Sequence, residues 1–255
     1  MALAIKDKIN KVSPWSFMVA CIIPVYKEPM IGMVLAKFDK PYVDEVVVII
    51  DEYTEDIKAS IKVGLKHAKV PIKMLINKVR RGIGYAIRLG LYYALKKGYD
   101  VVVIMAGNGK DDPREIPLLL KLIEKGYDYI QGSRYLKKQK IELPLSRKIF
   151  NKLWPLIWTL ITGVRHTEIT NGFRAYKLEI IKNKEVNIDQ EWLNHYALEY
   201  YIHYKALKLG YKYAEAPVTK KYPWTHKGGY SKIKPWKDWW HILLPPLLLW
   251  FGIRK

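Results

Sequence analysis

The chain has 255 residues, half of them hydrophobic, enough for one large domain or two small ones with a real core. Lys and Arg number 44 against 24 Asp and Glu, a formal net charge of +20, which favours polyanionic partners such as nucleic acid, anionic lipid surfaces or phosphorylated substrates. The single cysteine, Cys21, excludes an intrachain disulfide and fits a reducing compartment.

The opening residues MALAIKDKINKV carry scattered charges and no long apolar core, so no secretory signal is expected. Strands are then predicted at residues 19–25, 46–50, 72–76 and 101–105, with helical patterns at 30–38, 57–68 and 85–97 between them. Near-continuous Val and Ile runs separated by helices indicate parallel strands buried on both faces, hence a doubly wound α/β sheet. A helix at 115–125 and a fifth strand at 127–131 extend the pattern. Beyond about residue 143 the chain becomes more aromatic, with a short strand near 173–176 and a helix at 192–209. This region is expected to complete the same domain rather than fold separately. The organisation predicted is a domain over 1–235 and an amphipathic, interfacial tail over 236–255.

No apolar run reaches the roughly 18–20 residues of a simple membrane span. Two segments, KLWPLIWTLITG at 152–163 and WWHILLPPLLLWFGIRK at 239–255, mix Trp with Leu and Ile and have basic flanks. That composition suits the interfacial layer of a bilayer. The alternatives are a buried helix for the first and a docked tail for the second. The histidines His166, His195, His203 and His226 lack metal-ligand spacing and read as structural or surface residues.

An open parallel sheet binds its ligand beyond the carboxyl ends of the strands. Four such ends carry polar groups here: PVYKEP at 24–29, Asp51 and Glu52, the turn from Ala106 to Asp112, and GSRY at 132–135. One polar loop means little, but four converging loops mark a ligand site.

Eight segments stand in a recognisable order: IIPVYKEP, IIDEYTED, RRGIGYAIRLGL, IMAGNGKDDPREIP, QGSRY, TNGFRAY, LGYKYAEAPV and GGYSK. From about Ala20 to Lys232 the chain resembles the family 2 glycosyltransferases of the GT-A fold, especially the polyprenyl- or dolichyl-phosphate sugar synthases. The resemblance implies a Rossmann-like, mostly parallel sheet. It also implies an inverting hexosyl transfer from a UDP- or GDP-sugar to a polyprenyl or dolichyl phosphate. The enzyme would sit peripherally or monotopically on the cytoplasmic face of an anionic membrane.

By the same resemblance Pro24, Tyr26 and Glu28 would line the nucleoside pocket, and Asp51 would accept hydrogen bonds from ribose or base. Arg81 would sit near the base or diphosphate, unless it is simply solvated. Arg134 and Arg174 would bind phosphate oxygens. Ser231 and Lys232 would close over the acceptor phosphate, unless they belong to an ordinary surface loop. Glu199 and Glu215 stand where the family often has acids, and each can instead pair with a local base.

The turn after the fourth strand departs from the family. A usual M-D-G-D-G-Q-H-D-P is here Met105-Ala106-Gly107-Asn108-Gly109-Lys110-Asp111-Asp112-Pro113. Ala106 and Asn108 replace the two metal-facing carboxylates, while Gly107 and the shape of the turn are kept. A Mg²⁺ or Mn²⁺ site needs carboxylate oxygens. No cofactor is therefore firmly expected. Lys110 is expected to take the place of the metal charge, with Arg134 and Arg174. The rivals are an ion recruited by Asp111 or Asp112, and a site kept for binding without turnover. A nucleic-acid-binding role is not expected, because the basic residues form no single motif.

Overall fold

The computed structural model describes residues 10–137, 145–221 and 239–254. Seven strands form one sheet: β1 (Val19–Tyr26), β2 (Glu45–Asp51), β3 (Ile72–Asn77), β4 (Val101–Ile104), β5 (Tyr129–Ser133), β6 (Arg174–Lys177) and β7 (Tyr213–Pro217), in the order β3-β2-β1-β4-β6-β5-β7. All neighbours pair in parallel except β6, which runs antiparallel to β4 and β5. The helices are α1 (Ile31–Ala36), α2 (Glu55–Leu65), α3 (Ile83–Lys97), α4 (Ile116–Glu124), α5 (Leu145–Thr162), α6 (Glu179–Lys182), α7 (Ala197–Lys208) and α8 (Trp239–Trp250).

Side chains alternate across a strand, and the two cores follow that alternation. Val19, Cys21, Ile23 and Val25 face α1, α2 and α4, with Val46, Val48, Ile50, Val101 and Val103. Ala20, Ile22, Val47, Ile49, Val102 and Ile104 face α3 and α7. This two-sided burial is the mostly parallel α/β architecture expected, and it explains why the strands read as unbroken apolar runs.

Three expectations are corrected. β3 is an edge strand whose Lys73, Met74 and Ile76 are exposed, so it is not buried on both faces. Strand β7, parallel to β5, was not foreseen, because its sequence YAEAP lacks the β-branched run of a buried strand. The helix at 192–209 is interrupted: residues 191–194 form a 3₁₀ turn and α7 begins at Ala197. That break gives room to the turn before α3. A Cβ on Gly84 would lie 2.0 Å from the Leu193 carbonyl oxygen and one on Gly82 would lie 2.4 Å from that of Asn194.

Segment 152–163 is part of α5 and has two characters. Trp154, Trp158 and Ile161 are buried, the two tryptophans clustering with Ile169 and Tyr200. Leu153, Leu156 and Leu160, at helical spacing, are exposed. The tail helix α8 docks on the body: Leu249 is buried, its carbonyl accepts from the Tyr204 hydroxyl at 3.2 Å, and the Arg254 guanidinium lies over the Trp192 ring at 4.5 Å. Leu244, Trp250, Phe251 and Ile253 remain exposed.

Behind α5 the fold joins two histidines whose spacing in the chain suggests no pairing. His166 Nε2 and His203 Nε2 lie 2.8 Å apart, both buried, beside the Trp158 and Tyr213 rings. Neutral imidazoles satisfy such a contact, one donating and one accepting. Burial lowers His166 to about 4 and lowers His203 as well. A depressed folded value means the unfolded chain takes up the proton first as pH falls. Stability is therefore full above pH ~6.5, declines as pH falls, and is lost on passing through about 4. For His166 alone the loss is expected to be about 3 kcal/mol. Urea unfolding between pH 7.5 and 4 checks this, because His166→Gln should flatten the pH dependence by that amount. An unchanged profile in the variant would contradict it.

Candidate active site

The chain reverses direction across the sheet at β1: β2 and β3 lie to one side, β4 to the other. The crevice beyond the carboxyl ends of β1 and β4 is thus the topological switch point. Two non-glycine residues there adopt left-handed backbone conformations, Lys27 (φ 50°) after β1 and Glu52 (φ 65°) after β2. Such conformations are costly and collect at functional sites.

On one flank Tyr26, Asp51 and Asn77 stand in register on three adjacent parallel strands. Residues in register share a face, so their side chains converge on the α3 side. Asp51 is only 3% exposed and accepts from Asn77 Nδ2 at 2.9 Å. Burial raises its pKa, opposed by that hydrogen bond and by the Arg80 charge. Arg80 stacks its guanidinium 3.7 Å from the Tyr26 ring centre, whereas Arg81 lies over Tyr85 at 5.0 Å. The structure therefore brings together Tyr26, Asp51 and Arg80, and sets Arg81 over Tyr85. Pro24 is half-buried within β1, and Glu28 is buried just beyond it.

The other flank is the turn after β4. A Cβ on Gly107 would meet Val25 Cγ2 at 3.0 Å, so glycine lets the turn lie against β1, and Gly109 takes a left-handed φ of 74°. Asn108 Oδ1 accepts from the Lys110 N–H at 3.2 Å. The Lys110 carbonyl accepts from the Lys221 N–H at 2.9 Å, so both backbone groups of Lys110 are held.

These contacts decide whether the turn suits a divalent ion. Ala106 has no side-chain ligand, and the one carbonyl oxygen of Asn108 already serves the turn. Asp111 is buried, with Oδ2 accepting from the Ala106 N–H at 3.2 Å and Oδ1 from Lys220 Nζ at 2.6 Å. Asp112 caps the 3₁₀ turn at residues 113–115, accepting from the Arg114 N–H at 3.2 Å, and pairs with Lys37 at 3.3 Å. Among the described residues no three His, Cys, Asp or Glu side chains group to hold a metal. The donor set does not fit Mg²⁺ or Mn²⁺.

The two arginines face inward. Arg134, 5% exposed, makes a two-point pair with Glu168, through Nε at 2.5 Å and Nη2 at 3.2 Å, and donates to Thr170. Burial pushes Glu168 up, but Arg134 and Thr170 outweigh it and hold the carboxyl below its usual range. Arg174, 2% exposed, donates to the Tyr129 hydroxyl and the Asn171 carbonyl and lies 3.2 Å from Glu199 Oε1. Burial raises the Glu199 pKa, against Arg174 and Lys220 and with a contribution from Asp111. Each guanidinium meets a carboxylate, Arg134 with Glu168 and Arg174 with Glu199. Glu215 accepts from the Thr167 and Glu168 N–H groups and organises the same loop.

Ser231 and Lys232 lie outside the described residues. The structure adds Arg80, Asn171, Glu168 and Lys220 to the site. Asn171 was within reach of the sequence, standing in TNGFRAY. Arg80 and Lys220 were not, because each is one basic residue among many in a Lys-rich chain.

Comparison with known proteins agrees with this architecture. Residues 20–183 match Glycosyl transferase family 2. An undecaprenyl-phosphate mannosyltransferase of Micrococcus luteus is 26% identical over 204 residues, 79% of this chain and 82% of the relative. A polyprenol monophosphomannose synthase of Mycolicibacterium smegmatis is 24% identical over 202 residues, 78% and 75%. A dolichyl-phosphate hexose transferase of Haloferax volcanii is 25% identical over 219 residues, 85% and 86%. The crystal structure of a mycobacterial protein superposes with a TM-score of 0.62 at 17% identity, covering 94% of this chain and 76% of that one, which supports the fold. With the GT-A scaffold and more than half its length matched, the chain belongs to glycosyl transferase family 2 and is a glycosyltransferase.

Proposed function

We propose that this enzyme transfers a hexose, with inversion, from a UDP- or GDP-sugar to a polyprenyl or dolichyl phosphate at the cytoplasmic membrane surface. The observation that carries the acceptor is the union of a lipid-suited helix with the site. Helix α5 exposes Leu153, Leu156 and Leu160, and its Asn151 donates at 2.8 Å to the hydroxyl of Tyr135, the neighbour of Arg134. Three relatives matched along most of their length carry names specifying transfer to lipid phosphates of this class or synthesis of such a product.

In this reading Tyr26, Arg80 and Asp51 hold the nucleoside, with Pro24 and Glu28 shaping the pocket. The diphosphate lies over residues 106–110 with Lys110 beside it. Arg134 and Arg174 hold the loops that frame the site, each through its carboxylate. An oxygen of the lipid phosphate attacks the anomeric carbon opposite the diphosphate. The new carbon–oxygen bond forms as the bond to the leaving diphosphate breaks. A phosphate monoester loses its second proton near pH ~6, so it is already a nucleophile at neutral pH and no strong general base is needed. Catalysis then rests on positioning and on positive charge at the leaving group. No step is routed through a metal, in keeping with the donor set at the turn.

Among the described residues no helix is long and apolar enough to cross a membrane. The exposed leucines of α5, the exposed Trp250, Phe251 and Ile253, and the basic surplus suit an interfacial seat on an anionic leaflet. Leu156→Glu and Leu160→Glu are each expected to weaken binding to anionic vesicles by about tenfold, with unchanged thermal stability because both side chains are exposed. Vesicle co-sedimentation checks this, and undiminished binding by the double variant would remove α5 from the membrane contact.

The enzyme reading is tested by mixing the protein and polyprenyl phosphate in detergent with a panel of UDP- and GDP-sugars. A glycolipid product names the donor. Nucleotide binding with no product from any donor would replace the transfer reading with a sensing one.

A further inference from the structure

Although Ala106 and Asn108 leave the β4 turn short of carboxylates, a positive charge is delivered to that turn from the far side of the sheet. Lys220, three residues beyond β7, places Nζ 2.6 Å from Asp111 Oδ1 and 2.8 Å from Asn171 Oδ1, with its side chain 11% exposed. Both acceptors are themselves fixed. The other oxygen of Asp111 takes the Ala106 N–H, while Asn171 Oδ1 takes the Phe173 N–H at 3.2 Å and Asn171 Nδ2 donates to the Gly132 carbonyl at 3.1 Å.

The backbone around Lys220 is held independently of its side chain. The Thr219 N–H donates to Glu115 Oε2 at 2.8 Å and the Lys221 N–H to the Lys110 carbonyl at 2.9 Å. Tying this segment to the turn therefore does not require a buried ammonium. Desolvating one costs several kcal/mol, and a neutral donor would make the same two hydrogen bonds at a smaller penalty. A charge held under those conditions, beside a turn whose described side chains form no metal site, calls for a role beyond anchoring.

We propose that Lys220 is a resident cation of the active site, an ammonium held by Asp111 and Asn171 that interacts with the diphosphate of the donor and of the leaving nucleotide where carboxylate-bearing turns use a divalent ion. This rests on the glycosyl-transfer reading and adds a second, more deeply anchored lysine to Lys110. Asp111 balances the ammonium much as carboxylates balance a bound ion, which makes the charge tolerable inside the protein.

The test separates charge from anchoring. UDP, GDP, uridine and guanosine are titrated into wild type, Lys220→Gln and Lys220→Met in the presence of EDTA, by calorimetry and ligand-observed NMR. Lys220→Gln keeps hydrogen-bond donors for Asp111 and Asn171, so it preserves the scaffold if Lys220→Met does not. The expected result is diphosphate affinity about tenfold or more weaker in both variants, with nucleoside affinity unchanged and wild-type binding insensitive to EDTA. Equal losses for nucleoside and diphosphate, or no loss in Lys220→Gln, would overturn the inference and leave glycosyl transfer standing. A wild type that needs Mg²⁺ or Mn²⁺ to bind the diphosphate would do the same. Failure of the wild type to bind any of the four would remove the transfer reading and this inference with it.

Discussion

Lys110→Ala is expected to lower kcat by about 10²–10³-fold, or ~3–4 kcal/mol, the usual effect of deleting one preorganised group that stabilises developing charge. The motive is the turn itself. Both backbone groups of Lys110 are hydrogen-bonded, to Asn108 Oδ1 and to the Lys221 N–H, so the residue is held at the mouth of the crevice. The neighbouring positions that would otherwise carry carboxylates are Ala106 and Asn108. The loss should fall mainly on kcat, because charge grows on the diphosphate as the bond to the sugar breaks. Steady-state transfer kinetics read this directly. A variant within about threefold of wild type would place Lys110 outside the chemistry.

Arg174→Met is expected to destabilise the fold by about 3–5 kcal/mol, because it strands the Glu199 carboxyl without its partner. Arg174 is on the short antiparallel strand β6, 2% exposed, and ties three elements together: Tyr129 of β5, the Asn171 carbonyl and Glu199 of α7. Burial already raises the Glu199 pKa, and removing the arginine takes away the main charge opposing that rise. The double variant Arg174→Met, Glu199→Leu should recover much of the loss, since an apolar pair leaves no charge uncompensated. Urea unfolding of the three proteins checks both statements. A single variant that loses less than about 1 kcal/mol would show that the pair contributes little.

The two arginines illustrate where sequence reading ends. GSRY and GFRAY are visible as motifs, but which carboxylate each arginine meets depends on residues far along the chain. Glu168 lies 34 positions from Arg134 and Glu199 lies 25 from Arg174, and only the sheet order places them together. The parallel half was legible because strands buried on both faces must be apolar throughout, as β1, β2 and β4 are. The edge position of β3 and the existence of β7 were not, since neither run departs clearly from half-buried patterning. At the turn, Ala106 and Asn108, standing where the resembled family carries carboxylates, were legible residue by residue. Lys220 was hidden because it arrives from the other end of the fold, 109 positions from Asp111. Arg80 was not singled out, because only the geometry of the loop before α3 sets its guanidinium over Tyr26.

We propose a family 2 glycosyltransferase whose diphosphate site works through lysine in place of a divalent ion. The most direct measurement is the rate of glycolipid formation from polyprenyl phosphate and the active nucleotide-sugar in excess EDTA, against the rate with Mg²⁺ or Mn²⁺ added. Equal rates are expected. Transfer that stops in EDTA and returns with either ion would contradict it.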